Sequence, residues 1–242
     1  MSSAPQPRKP FKISDSLNRQ LNTYAQVASA AGVSVLALAG ASEAKVVYTA
    51  TYQVTHTGFP LYIDLNHDGI KDFLLRTNFY QGSSGLEVGL SVSGYRNPNN
   101  AVAGRRFSHS GYFYSAASAL RAGARIGPRG NFSVRFPFMA MEIFSGFGST
   151  YSDLGAWAGE GEGVKSHYLG LKFVIDGEIH YGWARFSVTL GHERQFDDVR
   201  GTLTGYAYET EPGKPIVAGQ TTGPDVVSVQ PESLGGLALG TR

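Results

Sequence analysis

The chain has 242 residues with no cysteine, 31 glycines, 13 tyrosines, 14 phenylalanines and only 17% charged side chains. The missing cysteines exclude disulfides, thiolate metal sites and a cysteine nucleophile, and low charge with many aromatics and glycines favours strands and tight turns over a helical bundle. Of 21 basic and 19 acidic side chains, four and two fall in residues 1–44, so the remainder is formally neutral and offers no broad electrostatic grip on nucleic acid or an anionic membrane.

The first 44 residues read as an address. Arg8, Lys9, Lys12 and Arg19 make a basic stretch, residues 25–40 are small and apolar, and Ser42 and Ala44 flank Glu43 as the small residues of a cleavage site. These three parts in this order are a secretory signal, expected as a helix. The apolar run is too short and too alanine-rich for a stable membrane span. The expected location is therefore the periplasm, the cell surface or the medium.

From Lys45 the pattern changes. Residues 45–54 are rich in β-branched and aromatic side chains and read as a strand, followed by strands at 59–63 and 73–77. Residues 86–92 alternate, with Leu86, Val88, Leu90 and Val92 on one face. Residues 94–106 read as a polar loop and 115–124 as a short helix. A strand over 132–144 is interrupted by Pro137, which predicts an edge or a bulge. The glycine-rich stretch 145–165 reads as a long loop. Asp176-Gly177 lies between two apolar runs, 168–175 and 179–188, and predicts a hairpin. A last strand covers 203–209 and ends before Pro212-Gly213-Lys214-Pro215. About nine strands and no periodic helix predict an all-β chain, an antiparallel β-sandwich of jelly-roll type. The domain spans 45–218, and 219–242 reads as a flexible tail.

One segment carries chemistry. In Asp64-Leu65-Asn66-His67-Asp68-Gly69-Ile70-Lys71-Asp72, oxygen side chains occupy the first, third, fifth and ninth places and glycine the sixth. Calcium takes six to eight hard oxygen ligands. Asp64, Asn66 and Asp68 can point inward together, Gly69 permits a sharp turn, Ile70 offers its carbonyl and Asp72 closes the ring. The three nearby carboxylates repel one another without a cation. An EF-hand would carry a bidentate Glu at the twelfth place, where this chain has Leu75, and its flanks would be helices. The segment instead resembles the Asp-x-Asn-x-Asp-Gly-x-x-Asp loops of dockerin-like, thrombospondin-type-3 and FG-GAP/VCBS proteins. That resemblance implies a bound Ca2+.

A wider likeness rests on residues 28–45, the 64–72 loop, His180-Tyr181-Gly182-Trp183-Ala184-Arg185 and Gly205-Tyr206-Ala207-Tyr208-Glu209-Thr210. Together these resemble uncharacterised exported bacterial proteins, many of which carry a PEP-CTERM-type sorting tail. Residues 230–240 are similar to the start of such a tail. The resemblance implies a location and no activity.

Other residues carry less. Glu160 and Glu162, two places apart in a glycine-rich loop, read as solvated acids rather than a glycosidase pair, as do Asp197 and Asp198. His180 reads as a packed core histidine, and His109, His167 and His192 lack metal-ligand spacing. Tyr112-Phe113-Tyr114 and Tyr206-Ala207-Tyr208 are either core residues or a sugar-stacking face. The expected function is that of a calcium-stabilised exported protein of the cell surface or matrix, with no catalytic residues. A carbohydrate-binding module or a glycan-active hydrolase is the alternative, with glycans as partner.

Overall fold

The computed structural model describes residues 45–229 apart from 83–84, 110, 133–136, 146–149 and 192–198. The expected export segment 1–44, residues 230–240, His192, Asp197 and Asp198 lie outside the described residues. The chain is all-β, and the one helical piece among the described residues is a 3-10 turn at Gly159–Gly161. No described helix is long and apolar enough to cross a membrane.

Two large sheets make the domain. The first joins β1 (Val46–Thr55), β5 (Ala101–Val102), β11 (Val164–Ile175), β12 (Glu178–Leu190), β13 (Val199–Glu209) and β15 (Val226–Val229), in the order β15-β1-β13-β12-β11-β5. The second joins β2 (Leu61–Ile63), β3 (Phe73–Gly82), β4 (Gly85–Gly94), β6 (Gly104–His109), β7 (Tyr112–Ala117), β9 (Phe138–Ser145) and β10 (Thr150–Leu154), in the order β2-β3-β4-β9-β7-β6 with β10 also on β9. Pairing is antiparallel except β1 with β15 and β7 with β9. A separate ribbon pairs β8 (Arg125–Ile126) with β14 (Ile216–Val217).

The sheets meet where Leu90 of β4 fits against Gly201 of β13 and where the Thr77 hydroxyl donates to the Val199 carbonyl at 3.3 Å. Leu90, Val88 and Val92 are buried, as their alternation predicts. The first sheet is covered on its other face too. There Tyr181 and Trp183 of β12 pack with Tyr168, Ile126 and Ile216, the last two from the ribbon. His180, Gly182 and Ala184 alternate onto the opposite face. His180 is buried, with Nδ1 2.9 Å from the Glu209 carbonyl oxygen. It is a packed core residue.

The predicted hairpin is present. β11 and β12 pair from Ile175↔Glu178 outward, and Asp176 and Gly177 both take the left-handed conformation (φ 50° and 87°) of a two-residue type I′ turn. Pro137 stands just before β9, where the β4–β9 register shifts, and its carbonyl accepts from the Val92 N–H. It marks a bulge and not an edge.

Four local expectations are corrected. Residues 115–124 are not a helix, because Ala116 and Ala117 end β7, buried beside β9, and small side chains fit that close packing. The polar loop 94–106 contains β5 and the start of β6, whose exposed arginines at 105 and 106 suit an edge strand. The glycine-rich loop contains β10. Val226–Val229, inside the stretch read as a tail, forms β15 against β1, with the Val46 N–H already held by the Asp225 carbonyl.

Candidate metal site

The 64–72 loop joins β2 to β3. Ile63 pairs with Phe73 at its neck, and the Asp72 N–H donates to the Ile63 carbonyl at 2.8 Å. Both flanks are buried, and so is Leu65, with no exposed surface at all. Burying the second residue of the loop pins the polar residues on either side of it. Asp72 locks the loop from the far end. Its Oδ2 accepts the Leu65 N–H at 2.8 Å.

The tip is shaped by hydrogen bonds from the loop's own backbone. Asp64 Oδ2 accepts the Gly69 N–H at 3.0 Å, and Asp68 Oδ1 accepts the Ile70 N–H at 2.7 Å. The Asn66 amide donates to Asp68 Oδ2 at 2.9 Å. Gly69 sits at φ 87°, where a side chain is strained, and the sixth place therefore calls for glycine. His67 also takes the left-handed form, at φ 61°. The loop lies against the first sheet as well: His67 Nε2 is 2.7 Å from Thr49 Oγ1 and its ring stacks obliquely near Tyr206.

The five predicted residues are thus brought to one loop, but not as a closed cage. Among the described residues no three His, Cys, Asp or Glu side chains converge to hold a metal. Carboxylate oxygens of Asp64, Asp68 and Asp72 are turned to loop N–H groups instead. Two oxygens are left over. Asp64 Oδ1 and Asn66 Oδ1 are buried and have no hydrogen-bond partner among the described residues. A buried acceptor without a donor costs about 1–3 kcal/mol. A hard cation satisfies such oxygens, and the four predicted side-chain ligands, Asp64, Asn66, Asp68 and Asp72, all offer oxygen. The residues fit calcium on that ground. Ile70 is exposed, and its N–H serves Asp68.

Ionisable groups around the loop are shifted. Burial raises the Asp72 carboxyl to about 7; the Leu65 N–H draws it down, and the Asp64 and Asp68 charges push it up again. Tyr206 and Tyr208 are both pushed up to about 12, chiefly by burial, then by Asp64 for Tyr206 and by Asp68 for Tyr208. Both tyrosines are buried, so this pair is core and not a sugar-stacking face. Among the described residues the cation paired with these carboxylates is Lys71, whose Nζ lies 3.5 Å from Asp64 Oδ2. Lys71 is about half exposed, and such surface pairs contribute about 1 kcal/mol or less.

Asn100 belongs to the site and escaped the sequence. It is buried; its amide donates to the Asp72 carbonyl at 3.1 Å, and its Oδ1 accepts the Val174 N–H of β11 at 3.1 Å. One side chain therefore ties the end of the loop to the first sheet. Its partners are 28 and 74 residues away, beyond any local spacing rule. Glu160, within the 3-10 turn, and Glu162, at its C-cap, are both exposed. Tyr112 and Phe113 are largely exposed at the β6–β7 hairpin. No family model, curated protein or solved structure matches this chain, so its function is argued from its own geometry.

Proposed function

We propose that this chain is an exported β-sandwich protein of the cell surface or extracellular matrix, with a structural and binding role, whose fold one calcium ion stabilises at the 64–72 loop. The observation that carries the reading is the pair of buried, partnerless oxygens, Asp64 Oδ1 and Asn66 Oδ1. Asp64, Asn66 and Asp68 would supply side-chain oxygens, Ile70 its carbonyl and Asp72 its carboxylate. The ion supplies charge compensation among carboxylates. The protein's part is to hold the oxygens close: Leu65 anchors the loop in the core, and Asp72 and Asn100 clamp its end. Export is supported by the three-part pattern of residues 1–44, and a chain without cysteine gains from another staple.

Calorimetric titration of the full chain with calcium tests the assignment. One site with a dissociation constant of about 10⁻⁴–10⁻³ M is expected, the range of extracellular modules. Asp68→Ala removes one of the oxygens and abolishes the binding heat. If the wild-type chain takes up no calcium at millimolar concentration, the reading fails.

A further inference from the structure

Beside the loop lies a surface cleft of about 350 Å³, lined by Tyr62, Gly69, Ile70, Lys71, Tyr95 and Arg96. Its walls come from three places: β2, the tip of the loop, and the turn after β4. Tyr62 and Tyr95 meet edge to face with centroids 5.1 Å apart, and the Arg96 guanidinium lies 5.3 Å from the Tyr95 ring centre. Tyr62 is 41% exposed and Ile70 61%. Large apolar surface left open next to aromatic rings is suited to the C–H face of a pyranose ring.

The charge of the cleft is one-sided. Among the described residues the ionised groups that line it are Lys71 and Arg96, both cations, with no acid. Arg96 contacts the Tyr95 ring and has no carboxylate partner among the described residues. It is held at φ 59°, a conformation that costs a non-glycine residue energy. The turn that holds it is built firmly. The Tyr95 N–H donates to the Asp72 carbonyl at 2.7 Å, and Asn97 closes the turn by accepting from the Asn99 and Asn100 N–H groups. At Gly94 a Cβ would clash with the Asn100 carbonyl oxygen, so only glycine allows the return. Arginine is presented on a fixed backbone, beside a stacking surface.

Lys71 couples the cleft to the loop. Its ammonium is paired with Asp64, the first oxygen donor of the calcium site. A cation held by Asp64 competes for that carboxylate and frees Lys71 for the cleft it lines.

We propose that the cleft framed by Tyr62, Ile70, Lys71, Tyr95 and Arg96 binds a uronic-acid sugar, its ring against Tyr62 and Ile70 and its carboxylate on Arg96 and Lys71, and that calcium in the neighbouring loop tightens the binding. The coupling, though not the cleft itself, rests on the calcium reading. The sugar class follows from the lining: aromatic and aliphatic surface for the ring, two cations for the carboxylate.

The probe is trigalacturonate, titrated into the full chain in millimolar calcium and in chelator, beside a neutral galactose trisaccharide and inorganic phosphate. Trigalacturonate binds, and the neutral sugar and phosphate bind about tenfold more weakly or not at all, since each lacks one half of the recognition. Arg96→Gln weakens trigalacturonate about tenfold while leaving the calcium-induced rise in melting temperature intact. Asp68→Ala, tested at the same calcium concentration, loses the calcium enhancement, which separates the loop from any calcium carried by the sugar. Equal binding of the neutral sugar or of phosphate, no binding of trigalacturonate, or an Arg96→Gln variant that binds unchanged overturns the sugar assignment. Binding that ignores both chelator and Asp68→Ala overturns the coupling. Calcium-dependent melting is recorded separately, so a failure of the cleft is distinguished from a failure of the loop.

Discussion

At the scale of single residues, the loop divides into those proposed to hold an ion and those that hold the loop. Asp68 is exposed, and its hydrogen bonds among the described residues are to its neighbours Asn66 and Ile70. Asn100 is buried and links Asp72 to Val174. The two therefore differ in what they cost. Asn100→Ala leaves the Asp72 carbonyl and the Val174 N–H without that partner, and is expected to lower unfolding free energy by about 1–3 kcal/mol in urea denaturation even in chelator. The oxygen spacing from Asp64 to Asp72 was legible because the ligands of such a loop are close in sequence. Asn100 and the His67–Thr49 contact were not, because they join segments that only the folded sheets bring together.

At the scale of elements, strands with clean alternation or a diagnostic turn could be read directly. β4 announces itself by Leu86, Val88, Leu90 and Val92, and the β11–β12 hairpin by Asp176-Gly177. The failures share a cause. β7 ends in Ala116 and Ala117, residues of good helical propensity that tertiary packing overrides. β5 and β15 are two and four residues long, too short to show a period, and exist because a neighbour supplies their hydrogen bonds. The β2–β3 unit depends on Leu65 in the same way that a hairpin depends on its turn. Leu65→Ala should cost about 2–5 kcal/mol by thermal or chemical unfolding, with or without calcium, since the lost burial lies in the core and not at the ion.

At the scale of the whole molecule, the loop touches both sheets: it grows from β2 and β3 of one and rests on Thr49 and Tyr206 of the other. An ion bound there would stabilise the sandwich by linkage, because the unfolded chain does not assemble the loop. The same region sets the response to alkali. Tyr206 and Tyr208 ionise near 12 when folded and near the ordinary value of about 10 when unfolded, so the folded chain keeps its protons longer. Stability from this source is complete below pH about 10 and is lost as pH rises from there through 12, so the urea midpoint should fall across that window.

Thermal unfolding of the full chain in calcium and in chelator, with Asp68→Ala alongside, is the most direct measurement. At calcium about a hundredfold above the dissociation constant, linkage gives about 2.7 kcal/mol, or a rise of about 5–10 °C for a domain of this size. The wild-type protein should show that rise and the variant should not. Superimposable wild-type melts in calcium and chelator would mean that the 64–72 loop is an ordinary turn and that the sandwich stands without an ion.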